Sequence, residues 1–194
     1  MINFQITKTW NGEPIDHPPI QLNLKSSENG LCLTVEAPFF DDPPPEHETN
    51  VSDGACDRLW DFEVVEAFFL NDNNDYLEVE LNPYDKHLVL MLKGQRNCIK
   101  DKLPLNYNAI ISDDKKYWTG EALIPWSYFP YKTRKFNAFA IHGVGECRVY
   151  EALFPVQKSL YEKVDFHRLE AFSYVDEFES VFHNASGEQW HKNK

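Results

Sequence analysis

Four glutamates stand close together in two neighbouring stretches: Glu63 and Glu66 within Phe62-Glu63-Val64-Val65-Glu66-Ala67-Phe68-Phe69-Leu70, and Glu78 and Glu80 within Tyr76-Leu77-Glu78-Val79-Glu80-Leu81. Facing carboxyl groups are what cleavage of a glycosidic bond requires, one to protonate the leaving oxygen and one to act as base or nucleophile. The same spacing also suits structural or ligand-orienting work, and that is the expected role. In the first stretch both alternating sets are apolar. Glu66 keeps company with Phe62, Val64, Phe68 and Leu70, and Glu63 with Val65, Ala67 and Phe69, the pattern of a strand covered on two faces. At least one of these glutamates is then partly buried and needs a cation such as Arg96 or Arg148, or a raised pKa. In the second stretch Tyr76, Glu78 and Glu80 share the face opposite Leu77, Val79 and Leu81. A solvated sheet face is the plain expectation for them, a pocket lining the sharper one.

Aromatic residues form a second constellation. Sugars stack their C–H faces on aromatic rings while polar side chains bond their hydroxyls. Of Trp10, Trp60, Trp118, Trp126 and Trp190, at least half are expected in the core. Trp60, after a long polar loop, and Trp118, beside the turn at Asp113 to Lys116, are placed as rim positions. His142, followed by Gly143, Arg148, Tyr150 and Glu151, and His167 in Asp165-Phe166-His167-Arg168 could line a polar pocket or bind a metal, satisfied buried histidines being the favoured reading. Asn71 to Asp75 is rich in oxygen ligands. Its sixth and twelfth positions are Tyr76 and Asn82, which excludes an EF-hand and leaves another type of calcium site as the alternative. No phosphate-binding loop, nucleophile elbow or dinucleotide fingerprint is present.

The elements that must position these groups read as strands. Leu31 to Ala37, Glu63 to Leu70, Tyr76 to Leu81 and His87 to Leu92 alternate with period two, and the last three read as a meander turned by Asn71 to Asp75 and Asn82 to Asp85. Further strands are predicted at Gln21 to Leu24, Tyr107 to Ile111, Trp118 to Ile124, Phe136 to His142 and Arg148 to Phe154, with helical turns at Pro125 to Phe129 and Phe166 to Phe172. The result is an all-β protein, an antiparallel, jelly-roll-like β-sandwich with one or two short helical turns. Residues 1–183 are read as a single domain and residues 184–194 as a loose C-terminal tail. The chain has 194 residues and a net charge of −12 with no basic stripe, which argues against nucleic-acid binding. No stretch is long and apolar enough to span a bilayer and no signal peptide is seen, and the four cysteines are widely spaced, so a reducing, cytoplasmic setting is expected.

Several motifs carry a resemblance. Ala37-Pro38-Phe39-Phe40-Asp41-Asp42-Pro43-Pro44, Leu59 to Leu70, Tyr76 to Leu81 and Phe136 to Gly143 resemble the uncharacterised vertebrate family typified by a chromosome-4 open-reading-frame protein, over Trp10 to about Phe172. More distantly, the order Trp60, Glu63, Glu66, Phe68, then Tyr76, Glu78, Glu80, Asn82, Pro83, then Trp118, Glu121, Ile124, Pro125, Trp126 is similar to carbohydrate-binding modules of family nine. That resemblance implies a β-sandwich that clamps a sugar between two Trp and often carries structural calcium. No other cofactor is expected. The leading reading is a non-catalytic domain binding a small carbohydrate or related metabolite through Trp60, Tyr76, Glu78, Glu80, Arg96, Trp118 and His142. The alternatives are a protein-interaction module using the acidic loop from Asp41 to Asp57 or an exposed edge strand, and a sugar-active enzyme using Glu66 or Glu80 with His142.

Overall fold

The structure is a computed structural model that describes residues 1–45 and 54–191. Period-two alternation of Val, Ile, Leu and Phe against polar residues builds twelve strands. They are β1 (Ile2–Ile6), β2 (Ile20–Ser26), β3 (Gly30–Pro38), β4 (Val64–Leu70), β5 (Asp75–Leu81), β6 (His87–Lys93), β7 (Cys98–Lys100), β8 (Asn106–Ile111), β9 (Tyr117–Pro125), β10 (Lys135–His142), β11 (Val149–Ala152) and β12 (Ser173–Tyr174). A five-stranded sheet runs β1-β2-β3-β9-β8, and a seven-stranded sheet runs β11-β10-β4-β5-β6-β7 with β12 also paired to β10. All strand pairs in both sheets are antiparallel. The strands β1, β7 and β12 were not predicted from the sequence.

The expected meander is β4-β5-β6, and its two turns use one device. Asn71 Oδ1 accepts the N–H groups of Asn73 and Asp75, and Asn82 Oδ1 accepts those of Tyr84 and Lys86. In each turn the residue three after the Asn, Asn74 or Asp85, adopts a left-handed conformation at φ 64 or 58. Side-chain amides thus substitute for turn backbone bonds and fix the register that follows.

Between the sheets lies the main core, with Leu22, Leu24, Leu33 and Ile124 from one side and Val65, Phe69, Leu77, Val79 and Ala138 from the other. Trp118 belongs here. It is 1% exposed, so it is not the rim platform expected of it. The reason is alternation along β9: Trp118, Gly120, Ala122 and Ile124 point inward, and a Cβ on Gly120 would come within 2.9 Å of the Trp118 ring, so glycine makes room for the indole. The outer face of the larger sheet is covered too. Phe68, Tyr76, Leu88, Leu92, Phe139, Phe166 and Phe172 form a second core there, roofed by the segment that follows β11. Tyr76, Glu78 and Glu80 therefore lie beneath protein, which corrects the expectation of a solvated sheet face.

Residues 178–190 are also docked. Phe178 and Phe182, in and just after helix α1 (Phe178–Val181), pack on Phe69 and Phe129. Helix α2 (Glu188–His191) presents Trp190, which is 3% exposed and donates its indole N–H to the Tyr128 carbonyl at 2.9 Å. Lys93 and Lys100 cap the carbonyls of Trp190 and Gln189. An anchoring indole and two ammonium donors hold residues 189 and 190 in place of the loose tail read from residue 184 onward, whose residues 192–194 lie outside the described residues. No helix among the described residues is long and apolar enough to cross a membrane.

Replacing the core indole, Trp118→Ala, is expected to cost about 3–5 kcal/mol in urea denaturation, whereas Trp60→Ala at the surface is expected to cost under about 1 kcal/mol. Equal losses would contradict the placement of these two residues.

Candidate functional site

A cavity of about 390 Å³ opens on the outer face of the seven-stranded sheet. Its floor is made by the strands, with Glu66 from β4, Glu78 from β5, Leu90 and Leu92 from β6 and Ile141 from β10. Its walls are Trp60 and Asp61 from the turn before β4, Arg96 from the β6–β7 turn, Cys98 from β7, Arg148 and Tyr150 at β11, and the roof residues Val164 to His167. Three carboxyl groups converge on this face. The register sets Glu66 opposite Glu80 and Phe68 opposite Glu78, and directly opposed side chains have Cβ atoms about 4.5–5.5 Å apart. Glu66 and Glu78 line the cavity, while Glu80 lies further along the floor at 0% exposure. Among the described residues neither oxygen of Glu80 receives an N–H or hydroxyl bond.

Burial is the main force on all three pKa values and pushes each one upward. Glu78 adds repulsion at Glu66, where Arg148 acts weakly in the opposite sense, and Glu66 and Glu78 both repel charge on Glu80. At Glu78 the neighbouring Glu80 carboxyl and Arg96 offset only part of the burial effect. Both Glu80 oxygens and Glu78 Oε2 are buried without a hydrogen-bond partner among the described residues, which leaves a charge on either group uncompensated. Burial and mutual repulsion thus favour the protonated form of all three groups. In that form the cluster faces the cavity as hydroxyl-like donors and acceptors rather than as three negative charges.

A relay stands beside it. Arg96 N donates to Tyr76 Oη at 3.1 Å, and Tyr76 Oη lies 2.7 Å from His167 Nδ1. The phenol oxygen accepts from the backbone N–H and shares a second hydrogen bond with His167 Nδ1, whose direction is set by the His167 tautomer. Burial, followed by the Arg96 charge, lowers the His167 pKa to about 4, which favours the neutral ring near neutral pH. Two arginines tie the roof and walls to the sheet. Arg96 pairs with Asp165 at 2.6 Å, and Arg148 donates to the Trp60 carbonyl at 2.6 Å and the Gly143 carbonyl at 3.1 Å. The Arg96–Asp165 pair is more than half exposed on the arginine side, so it orders the roof while adding little stability.

Of the residues singled out in the sequence, Trp60, Glu78 and Arg96 line the cavity, and Tyr76 sits directly beneath through His167. Glu80 adjoins Glu66 and Glu78 but does not line the cavity, and Trp118 lies in the other core. His142 does not join them: it stacks on Phe40 and bonds Glu151 at the sheet edge. Glu63 is spent locally, accepting the N–H groups of Phe40 and Asp42, and burial raises its pKa to about 7. The Asn71–Asp75 oxygens are engaged as well, Asn71 in its turn and Asp72 with Lys135 and Tyr174. Arg148, Tyr150 and His167, read in the sequence as candidate pocket lining, lie in this wall and roof, while Asp61, Cys98 and Val164 carry no signal in the sequence that points to lining. A turn or roof residue far along the chain leaves no periodic pattern to find it by.

The architecture is that of an antiparallel β-sandwich with a pocket on a covered outer face. A Bacteroides uniformis crystal structure, provisionally described as a carbohydrate-binding protein, shares this fold with a TM-score of 0.66 at 13% identity, covering 89% of this chain and 84% of that one. No protein-family model matches the sequence. The chain belongs to the UPF0462 (C4orf33) family: it is 48% identical to the mouse protein over 97% of this chain and 96% of the relative, and 46% identical to the human protein over 97% and 92%.

The raised carboxyl pKa values set the sign of the pH dependence. An unfolded glutamate loses its proton near 4.5, whereas the folded cluster keeps it, so stability is full below 4.5 and falls as pH rises, for Glu63 up to about 7. His167 acts the other way, its contribution being present above 6.5 and lost as pH falls through about 4. With more carboxyl groups than histidines involved, stability is expected to drop between pH 5 and pH 8, each group contributing at most about 1.4 kcal/mol per pH unit. Glu80→Gln, which imitates the protonated acid, is expected to raise the urea midpoint at pH 8 and leave it nearly unchanged at pH 5. Equal destabilisation at both would show an ionised Glu80.

Proposed function

We propose that this protein is a non-catalytic binding domain whose outer-face pocket takes a small polyhydroxylated metabolite, a carbohydrate or a close chemical relative. The observation that carries this reading is the composition of one cavity: an indole at the mouth, 39% exposed, an aliphatic floor, and buried carboxyl groups, pushed toward the protonated form, beside an imidazole that burial holds toward the neutral form. A sugar needs the same mixture, an apolar surface for its C–H face and neutral groups that both give and accept hydrogen bonds. Protonated carboxyls meet hydroxyls without a buried charge to compensate. Arg96 and Arg148 at the walls extend the range to acidic sugars. The fold shared with the Bacteroides protein supports the reading. Free thiols at Cys32, Cys98 and Cys147 suit a cytoplasmic setting.

Binding is favoured over catalysis on physical grounds. Glycoside hydrolysis needs one carboxyl held as acid and another as base, with pKa values driven apart. Here burial drives all three the same way. Glu66 opposite Glu80 is the arrangement that an acid–base mechanism would use, so product analysis accompanies the binding test. The protein-interaction reading rests on the acidic loop from Asp41 to Asp57, of which residues 46–53 lie outside the described residues, or on an exposed edge strand.

Tryptophan emission titrated with neutral and acidic mono- and disaccharides is expected to change saturably with one class. Trp60→Ala is expected to weaken binding at least about tenfold with an unchanged urea midpoint, since hot-spot indoles carry about 2 kcal/mol or more. A folded protein with no response to any sugar, or a Trp60→Ala variant that binds as wild type by calorimetry, would contradict the proposal. Turnover of a sugar would establish the enzyme instead.

A further inference from the structure

Away from this pocket, His17, His142 and Glu151 meet at the edge of the larger sheet. His142 ends β10 and Glu151 lies on the paired strand β11, while His17 arrives from the connection between β1 and β2. Gly143, at φ 77, lets the chain turn directly after His142, and a Cβ there would press within 2.5 Å of the Cys147 carbonyl. His17 Nε2 is 2.6 Å and His142 Nε2 3.0 Å from the same Glu151 Oε1, and the three donor atoms lie within 4.8 Å of one another. Phe40 stacks on His142 at 3.6 Å and meets His17 edge-on at 5.2 Å, fixing both rings.

Two observations point to a cation among these groups. First, His17 Nδ1 lies 2.9 Å from the Pro18 carbonyl, which can only accept, so Nδ1 carries a proton and a neutral ring turns its Nε2 lone pair toward Glu151. A lone pair and a carboxylate oxygen at 2.6 Å repel unless a positive charge joins them. A backbone carbonyl holding the far ring nitrogen is also how metal-bound histidines are oriented. Second, Glu151 is wholly buried, and its Oε2 has no hydrogen-bond partner among the described residues. A buried, half-satisfied carboxylate facing two imidazoles is a costly arrangement without a further ligand.

We propose that His17, His142 and Glu151 form a three-ligand site for a divalent transition metal of the zinc class, with a remaining coordination position open to water. Two imidazole nitrogens and one carboxylate are a donor set that zinc and its neighbours favour over calcium or magnesium. Ligands about 2.1 Å from a tetrahedral ion stand about 3.4 Å apart, so the closest pair, at 2.6 Å, opens by about 0.8 Å, and donor atoms up to 4.8 Å apart close toward the same spacing. The ion would fasten the β1–β2 connection to the β10–β11 edge.

The full-length chain, stripped with chelator and then titrated with Zn²⁺ by calorimetry, is expected to bind one equivalent, and Co²⁺ is expected to give the visible absorption of a nitrogen- and oxygen-ligated tetrahedral ion. His17→Gln, on a connection rather than a strand, is expected to weaken both at least about tenfold with fold retained by circular dichroism, while His183→Gln leaves them unchanged. Two results would overturn the proposal. One is the absence of Zn²⁺ uptake together with ¹⁵N spectra showing His17 protonated on both ring nitrogens at neutral pH, which would make the cluster a proton-held ion pair. The other is uptake unaffected by His17→Gln and by Glu151→Gln.

Discussion

The larger sheet is covered on both faces, and most of the chemistry of this protein follows from that. A sheet with one wet face would let Glu66, Glu78 and Glu80 ionise into water. Here the roof formed after β11 and the turn before β4 closes over them. Removing water from a carboxylate costs far more than adding a proton to it near neutral pH, so burial converts three acids of one face into neutral hydrogen-bonding groups. The neutral His167, reached through Tyr76, belongs to the same regime.

The roof is held by a division of labour. Apolar contacts supply most of the adhesion, Phe166 stacking on Phe139 at 4.0 Å and Phe172 edging onto Phe68. The arginines supply position. Arg96 fixes Asp165 on one side, and Arg148 fixes the Trp60 carbonyl on the other, so the exposed indole stands at a defined place over an aliphatic floor. A pocket arranged this way is shaped before a ligand arrives, which lowers the ordering cost of binding.

Much of this was legible in the sequence because alternation is a direct record of a strand's two faces. β4 read as doubly apolar and proved to be central, and the β4-β5-β6 meander followed from its Asn-rich turns. The same pattern called for burial of Glu63 or Glu66 with either a cation partner or a raised pKa, and burial raises the pKa of both. What alternation does not record is which layer covers a face. Trp60 and Trp118 looked alike as ring platforms beside turns, yet Gly120, two residues beyond Trp118, is the small residue that admits its indole to the core. The roof residues Asp165 to His167 come from a segment without periodic pattern. His17 and Trp190 likewise act through contacts far along the chain, with Glu151 and with Tyr128.

The central claim is that burial keeps the Glu66, Glu78 and Glu80 cluster protonated at neutral pH. Carbon-13 NMR of the protein labelled at the glutamate side-chain carboxyl carbons, titrated from pH 4 to pH 9 and assigned with single Glu→Gln variants, observes this directly. Resonances of the cluster that stay at the protonated shift through pH 7 are the predicted result. Titration of all three near the ordinary value of 4.5 would show that water reaches the sheet face and would contradict it.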